Sequence, residues 1–123
     1  MTYLKIASGV LVSAVTFVWG GFDAVFVVLL CLMTIDYVTG VLGAVRQKSL
    51  SSQDGFDGLL KKAGMLAVVA LAHFVGVYTQ IAEIRSLVIG FYIANEGISI
   101  LENSAKLGVP LPEKLVEILK QIN

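Results

Sequence analysis

Four long apolar segments constrain the fold of this 123-residue chain more than any other feature of its sequence. They cover approximately residues 3–19, 24–45, 59–82 and 86–107. Each is close to the roughly 20 residues that a helix needs to cross about 30 Å of hydrocarbon. Because lipid offers no partner to exposed backbone groups, helices are the open-ended structures that can span it. The sequence therefore predicts an all-α, polytopic membrane protein with four transmembrane helices.

The composition favours a membrane protein that forms a single domain, residues 1–123. Hydrophobic residues make up 57% of the chain, charged residues 15%, and the mean hydropathy is +0.86. A soluble domain of this size could not bury so much apolar surface, because small domains keep much of their surface exposed. The first segment is the shortest of the four. If it lies along the membrane surface instead of crossing, three spans remain.

The distribution of basic residues favours four spans over three. If the N-terminus is cytoplasmic, eight of the nine basic residues fall on the cytoplasmic side, and only Arg85 falls outside. The eight are Lys5, Arg46, Lys48, Lys61, Lys62, Lys106, Lys114 and Lys120. Lys and Arg are enriched in cytoplasmic loops. We therefore expect a multi-pass protein with both termini on the cytoplasmic side.

The polar stretches of the chain carry two helix signals. In "VPLPEKLVEILKQIN", Pro110 and Pro112 end the preceding helix, and apolar residues then recur at helical spacing. These residues are Leu115, Val116, Leu119 and Ile122. We predict a short amphipathic helix over about 111–122, too polar to span a membrane. In "RQKSLSSQDGFDGLLKK", Ser51 and Asp54 have the spacing of a helix start.

Two acidic side chains lie deep within the apolar segments. Asp36 is about midway along the second segment, and Glu96 is about midway along the fourth. A carboxylate at the centre of a membrane helix costs roughly 2.5–3.5 kcal/mol, so such groups face a bundle interior, another subunit or water. The polar candidates for helix contacts or for the wall of a pore are Asp36, Thr39, His73, Asn95, Glu96, Ser99 and Asn103.

Small residues accompany these polar groups. Gly40 and Gly43 share a helical face with the acidic residue of the second segment, and Gly90, Ala94 and Gly97 form a ridge on the fourth. Small residues let membrane helices approach closely. The polar groups are interpreted either as hydrogen-bonding contacts within one bundle or as surfaces that become wet when subunits assemble. A proton or cation transport site is a third interpretation.

Motifs typical of other functions are absent from the sequence. It has no phosphate-binding glycine loop, no nucleophile elbow and no metal-ligand spacing. It also has no basic, aromatic face of the kind that binds nucleic acid. We therefore expect no enzymatic activity, no cofactor, no metal site and no nucleic-acid partner.

Three stretches of the chain resemble a known family. They are "DYVTGVLGA" (residues 36–44), "GFDGLLKKAGML" (55–66) and "RSLVIGFYIANEGISILENSAKLGVPLPEKL" (85–115). Over roughly residues 30–120 the chain resembles the toxin-secretion/phage-lysis holin family, which includes the clostridial toxin-release holins. The N-terminal third is hydrophobic and adds little to the resemblance.

The resemblance implies a function but no catalytic residues. Holins accumulate in the bacterial cytoplasmic membrane, oligomerise and open lesions that release a muralytic endolysin, or a toxin, and so lyse the host cell. The implied partners are the lipid bilayer, other copies of the chain, and an endolysin or toxin. The family is often described with about three spans, so four spans would depart from that pattern. The alternatives are a small four-helix proton-coupled transporter and a structural membrane anchor.

Overall fold

The computed structural model describes residues 1–122 of the chain, apart from the side chains of Leu119 and Ile122. The described residues form five α-helices and no strand. The helices are α1 (Thr2–Trp19), α2 (Ala24–Arg46), α3 (Ser52–Thr79), α4 (Glu83–Lys106) and α5 (Glu113–Ile122). By length and composition, α1 to α4 can each cross a membrane. The prediction of an all-α fold with four helices long and apolar enough to span a membrane, followed by a short C-terminal helix, is therefore confirmed.

Local sequence signals explain where these helices begin and end. Asp23 caps α2 by accepting a hydrogen bond from the Phe26 amide at 3.3 Å. Ser51 caps α3 in the same way, because its hydroxyl accepts from the Asp54 amide at 3.3 Å. The helix start predicted at Ser51 is thus confirmed. Gly20 ends α1 with φ +91°, a left-handed conformation in which a side chain is strained.

The third helix is longer than the apolar segment that predicts it. It begins at Ser52, whereas the segment begins at about residue 59, so most of the polar stretch before it is helical. At 1.5 Å per residue its 28 residues extend about 42 Å. This exceeds the thickness of a hydrocarbon core by roughly 12 Å. The first turns of α3 therefore extend beyond the apolar part of the bundle.

The helices α2, α3 and α4 form the centre of the bundle. α2 packs most extensively against α4, α3 contacts both, and α5 folds against α4. The buried core between them is apolar and includes Phe26, Leu29, Met33, Val69 and Ile89. We call the end of the bundle formed by residues 46–51 and 107–112 the basic end. We call the opposite end, formed by residues 20–23 and 80–85, the Arg85 end.

Helix α1 lies at the periphery of this bundle. It contacts α3 but makes no comparable contact with α2, the next helix along the chain. Its residues before Val15 are all exposed, and Val15 is its one buried residue. Near its C-terminal end, the Trp19 indole donates to the carbonyl of Leu66 at 2.9 Å, and Phe17 packs edge-on against Phe74. The helix is therefore held by its last turns, and the rest of it faces the surroundings.

The C-terminal helix α5 is amphipathic, as predicted. The carbonyl of Pro112 accepts from the Val116 amide at 3.2 Å, which closes its first turn. Its charges follow the helix dipole, with Glu113 in the first turn and Lys120 in the last. Two members of its predicted apolar face, Leu119 and Ile122, have side chains outside the described residues.

Candidate functional site

A lysine lies between the two deep carboxylates and pairs with both. The Lys62 ammonium lies 2.6 Å from Oδ2 of Asp36 and 2.8 Å from Oε1 of Glu96. We call these three side chains the ion cluster. They belong to α3, α2 and α4 respectively, so the ion cluster links the three central helices.

The ion cluster is buried but not sealed from its surroundings. The exposed fraction is 16% for the Lys62 side chain, 11% for Asp36 and 5% for Glu96. Charges removed from water are stable only when they are paired and their remaining hydrogen-bonding groups are satisfied. Among the described residues, no buried side-chain nitrogen or oxygen lacks a hydrogen-bond partner. The cluster therefore meets the condition for burial within a closed subunit.

A second polar contact supports the cluster from α4. The Asn103 amide donates to Oδ1 of Asp36 at 2.9 Å and to its backbone carbonyl at 3.0 Å. It also lies 3.1 Å from the Thr39 hydroxyl. Ser99, one turn before Asn103 on α4, lines the same cavity as Asp36. These contacts fix the orientation of Asp36 toward the lysine.

Two glycines of α2 allow this close contact with α4. A Cβ atom at Gly40 would lie 3.5 Å from the Asn103 amide nitrogen. A Cβ atom at Gly43 would lie 3.4 Å from Cβ of Lys106. Both are van der Waals contact distances, so an alanine methyl group at either position would already touch α4. The absence of side chains here lets α2 and α4 approach closely, as small residues do in membrane helix pairs.

A cavity of about 490 Å³ leads from the basic end of the bundle to the ion cluster. Its walls come from the second half of α2, the α2–α3 loop, the first half of α3 and the second half of α4. Many of its walls are polar. They include Ser49, Ser51 and Asp54 near the mouth, and Lys62, Ser99 and Asn103 at depth.

A layer of apolar side chains closes the bundle on the other side of the cluster. Leu29, Val69 and Ile89 are each completely buried. Each lies seven residues from a member of the ion cluster on its own helix, in the direction of the Arg85 end. Seven residues are two helical turns, or about 10 Å, so these side chains share the faces that carry the charges. We call these three residues the apolar layer.

At the Arg85 end, one arginine fastens the α1–α2 turn to α4. The Arg85 guanidinium holds both oxygens of the Asp23 carboxylate, at 2.7 and 2.9 Å. It also donates to the carbonyls of Trp19 and Gly21. The hydrogen bond from Arg85 lowers the pKa of Asp23 below its ordinary value of 3.8. Because a Cβ atom at Gly20 would lie 2.8 Å from Nε of Arg85, a glycine is required there for this contact.

The structure brings together five of the seven polar candidates. Asp36, Thr39, Glu96, Ser99 and Asn103 all lie at the cluster or its supporting contacts.

The other two lie apart from the cluster. His73 packs at the Arg85 end, with its ring 5.5 Å from that of Phe74 and its Nδ1 close to Gly20. Asn95 is next to Glu96 in sequence, and successive residues of a helix point about 100° apart, so its side chain faces elsewhere. Their assignment as pore or helix-contact residues remains a prediction.

The three residues of the predicted small-residue ridge of α4 also differ in their burial. Ala94 is buried and Gly97 is half-buried. Gly90 is exposed, and a Cβ atom there would meet no neighbouring atom within 4 Å. Gly90 therefore makes no close helix contact within the subunit, and its proposed role applies only to contact with another molecule.

The cation of the cluster, Lys62, is not among the residues that the sequence predicts for a pore or a helix contact. The charge pattern places it with the cytoplasmic basic residues, although this lysine stands inside the third apolar segment. Two carboxylates in neighbouring membrane helices require a counter-ion, and Lys62 is the basic residue set deepest in an apolar segment. That requirement was the signal that could have identified it.

The described residues offer little for catalysis or for metal binding. No group of three or more His, Cys, Asp and Glu side chains among them is placed to hold a metal ion. A lysine between two carboxylates, at the base of a polar cavity, can hold charge, water or a proton within an otherwise apolar bundle.

Comparison with known proteins identifies the family. The model of the bacteriophage holin family matches residues 13–123. The chain is 40% identical to an uncharacterised 14.9 kDa protein of Clostridium perfringens, with 100% of this chain and 95% of the relative covered. It is 36% identical to an uncharacterised protein of Halalkalibacterium halodurans (95% and 93% covered) and 37% identical to YtkC of Bacillus subtilis (90% and 84% covered). No solved structure matches the chain. The family match covers three of the four long helices completely, together with the whole ion cluster, and the chain belongs to the bacteriophage holin family.

Proposed function

We propose that this protein is a holin that oligomerises in the bacterial cytoplasmic membrane and forms lesions there. The lesions would release a muralytic endolysin, or a toxin, and so bring about host cell lysis. Family membership supports the holin role. In this proposal both termini lie on the cytoplasmic side, so the basic end of the bundle is the inner end. The proposal includes no catalytic step.

The observation that carries the proposal is the ion cluster inside helices that are otherwise apolar. A protein that forms a lesion must first exist in the membrane without leakage and later present a wet wall. In the closed subunit, Lys62 satisfies Asp36 and Glu96, and the membrane stays sealed. When the three central helices separate, each charge needs water, because an unpaired charge in hydrocarbon is costly. The same residues therefore favour either a closed bundle or a hydrated wall.

The surface of the bundle supports contact with lipid and with further copies of the chain. Large apolar side chains are exposed along every long helix, including Val10 on α1, Leu42 on α2, Leu71 on α3 and Leu87 on α4. Soluble monomers rarely expose large contiguous apolar patches. Lipid covers it in a dispersed subunit. Neighbouring subunits cover part of it in the proposed oligomer.

The test is expression in bacteria together with a cytoplasmic endolysin that cannot leave the cell unaided. A holin produces an abrupt loss of membrane potential after a delay, followed by lysis that depends on the endolysin. A variant with all three charges removed (Asp36→Asn, Lys62→Met, Glu96→Gln) keeps a subunit that can close but loses the groups that require water. We expect this variant to reach the membrane in normal amount and to lyse cells late or not at all.

The matched control is a variant that removes charge outside the cluster. Lys61 is exposed and adjacent to Lys62 in the chain, so Lys61→Gln changes net charge without touching the cluster. We expect Lys61→Gln to lyse cells at the wild-type time. If the triple variant also lyses at that time, with the same release of endolysin, the cluster has no part in forming the lesion.

The alternative function, a small proton-coupled transporter, gives a different result in the same cells. A transporter would also use carboxylates within the membrane, and the ion cluster has the residue types for it. It would leave the membrane potential intact on expression and retain the endolysin. In liposomes it would move protons only with its substrate, whereas a holin would pass proteins. Retained endolysin at full expression would therefore refute the holin proposal.

A further inference from the structure

We propose that the cavity at the basic end is a water-filled vestibule that reaches the ion cluster while the subunit is closed. It is open toward the basic end and blocked toward the Arg85 end by the apolar layer. The inference builds on the proposed function by stating which part of the water path exists before any lesion forms. It differs from the simpler expectation that the polar residues become wet only when subunits rearrange.

The size and walls of the cavity argue for water. A volume of about 490 Å³ compares with about 30 Å³ per molecule in liquid water, so the cavity has room for more than ten molecules. Buried water needs polar partners, and empty cavities in proteins are apolar. Here Ser99, Asn103 and Lys62 line the deep part, and Ser51 and Asp54 line the approach.

The partial exposure of the ion cluster fits this view. The Lys62 side chain keeps 16% of its surface accessible, and it lines the cavity together with Asp36. Water at this surface reduces the desolvation that a buried ion pair otherwise suffers. The subunit can therefore keep these charges within the membrane without the free-energy cost of exposing them to hydrocarbon.

The apolar layer accounts for the seal. Leu29, Val69 and Ile89 have no accessible surface, and they lie about 10 Å beyond the charges on the same helix faces. A water molecule that reaches the cluster meets this layer next. The Arg85 end is further closed by the bidentate pair of Arg85 and Asp23. A continuous water path through the closed subunit thus requires displacement of the apolar layer, because the cavity already forms the part of the path between the basic end and the ion cluster.

Thiol accessibility, measured in membranes prepared before lysis begins, tests the vestibule. In a Cys31→Ser background, single cysteines are placed at Val41, which lines the cavity, and at Leu42, which is exposed on α2 and does not line it. These neighbours differ in depth by about 1.5 Å. A charged, membrane-impermeant methanethiosulfonate reagent is applied to inside-out vesicles and to spheroplasts. Gln53→Cys, exposed at the basic end, reports which preparation presents that end.

We expect Val41→Cys to react at least ten times faster than Leu42→Cys, and only in the preparation in which Gln53→Cys reacts. Ser99→Cys is the deeper probe and should react from the same side. It lies about 24 Å along α4 from its first residue, whereas Leu42 lies about 27 Å along α2, so depth alone would favour Leu42. Equal rates at Val41 and Leu42, or no reaction at Ser99, would overturn the vestibule. Reaction of Ser99→Cys from the Arg85 end would overturn the seal.

The outcome is separable from that of the proposed function. Labelling is measured before the membrane potential falls, and each variant is also scored for its lysis time with endolysin. Unreactive vestibule cysteines in variants that still lyse cells would refute the vestibule alone. Reactive cysteines in a protein that never releases endolysin would refute the holin role alone. Ser99→Cys is nearly isosteric, and Val41→Cys is smaller than the native residue, so both are compatible with the fold.

Discussion

Removal of the Lys62 charge is the sharpest test of the ion cluster. In Lys62→Gln, two carboxylates that share one cation at 2.6 and 2.8 Å lose it. Removing one partner of a buried ion pair typically costs about 3–5 kcal/mol. Because the lysine keeps 16% of its surface accessible, we take the lower end of that range, about 3 kcal/mol. At 1.4 kcal/mol per tenfold, the closed state then loses stability by a factor of roughly 100.

The assay measures both stability and timing. We expect Lys62→Gln to unfold in detergent at a lower temperature than wild type, and to shorten the delay before the membrane potential collapses. Lys62→Arg keeps a cation between the carboxylates and should restore much of both properties. Protein amounts in the membrane are matched by adjusting the inducer, since a less stable variant is also degraded faster.

Lys61→Gln is again the control, because it removes the same charge from an exposed neighbour. Its melting temperature and lysis time should equal those of the wild type. If Lys62→Gln matches Lys61→Gln in both measurements, the ion pairs contribute nothing to the closed state. The reasoning from the cluster to a sealed bundle would then be wrong.

Three further predictions concern the ends of the helices, and each is measured as unfolding in detergent. Ser51→Ala removes the cap of α3 and should lower stability by about 1 kcal/mol, with no loss if the cap is irrelevant. Gly20→Ala should lower the free energy of unfolding by about 2 kcal/mol or more, because φ is +91° and the added carbon would lie 2.8 Å from Nε of Arg85. Gly64→Ala is the control, because open space surrounds that site, and it should not lower the free energy of unfolding. Arg85 lowers the pKa of Asp23 below 3.8, so the contribution of this pair is complete above pH 3.8 and is lost as the pH falls through the lower, folded-state pKa. With the Asp23 side chain half exposed, we expect a small acid-dependent loss, and Asp23→Asn should abolish it while keeping the helix cap.

Much of the fold could be predicted because its signals are local. Apolar length predicts the four long helices, and the pair Ser51 and Asp54 predicts the start of α3. The polar face of Glu96, Ser99 and Asn103 on α4 and the inward position of Asp36 on α2 could also be predicted, since carboxylates at mid-span must face protein or water. These inferences need only spacing along one helix and the cost of burying charge.

What could not be predicted depends on how the helices are placed beside one another. Spacing along α4 gives Glu96 and Asn103 one face, but it does not show that Asn103 bonds Asp36 or that Lys62 joins Asp36 to Glu96. Lys62 follows another lysine at the start of an apolar segment, so the positive-inside pattern alone assigned it to a loop. Its pairing across helices arises from packing. His73 lies 11 residues, or about 16 Å, along α3 from Lys62, and the Asn95 side chain points about 100° away from that of Glu96, so neither reaches the cluster.

The peripheral position of α1 has a consequence for how such a protein can evolve. Only its last turns touch the rest of the subunit, so changes before Val15 leave the ion cluster and the apolar layer untouched. The family match begins at residue 13, which leaves most of this exposed helix outside the region shared with the family model. The first helix, and with it the surface offered to lipid, can therefore vary independently of the polar interior.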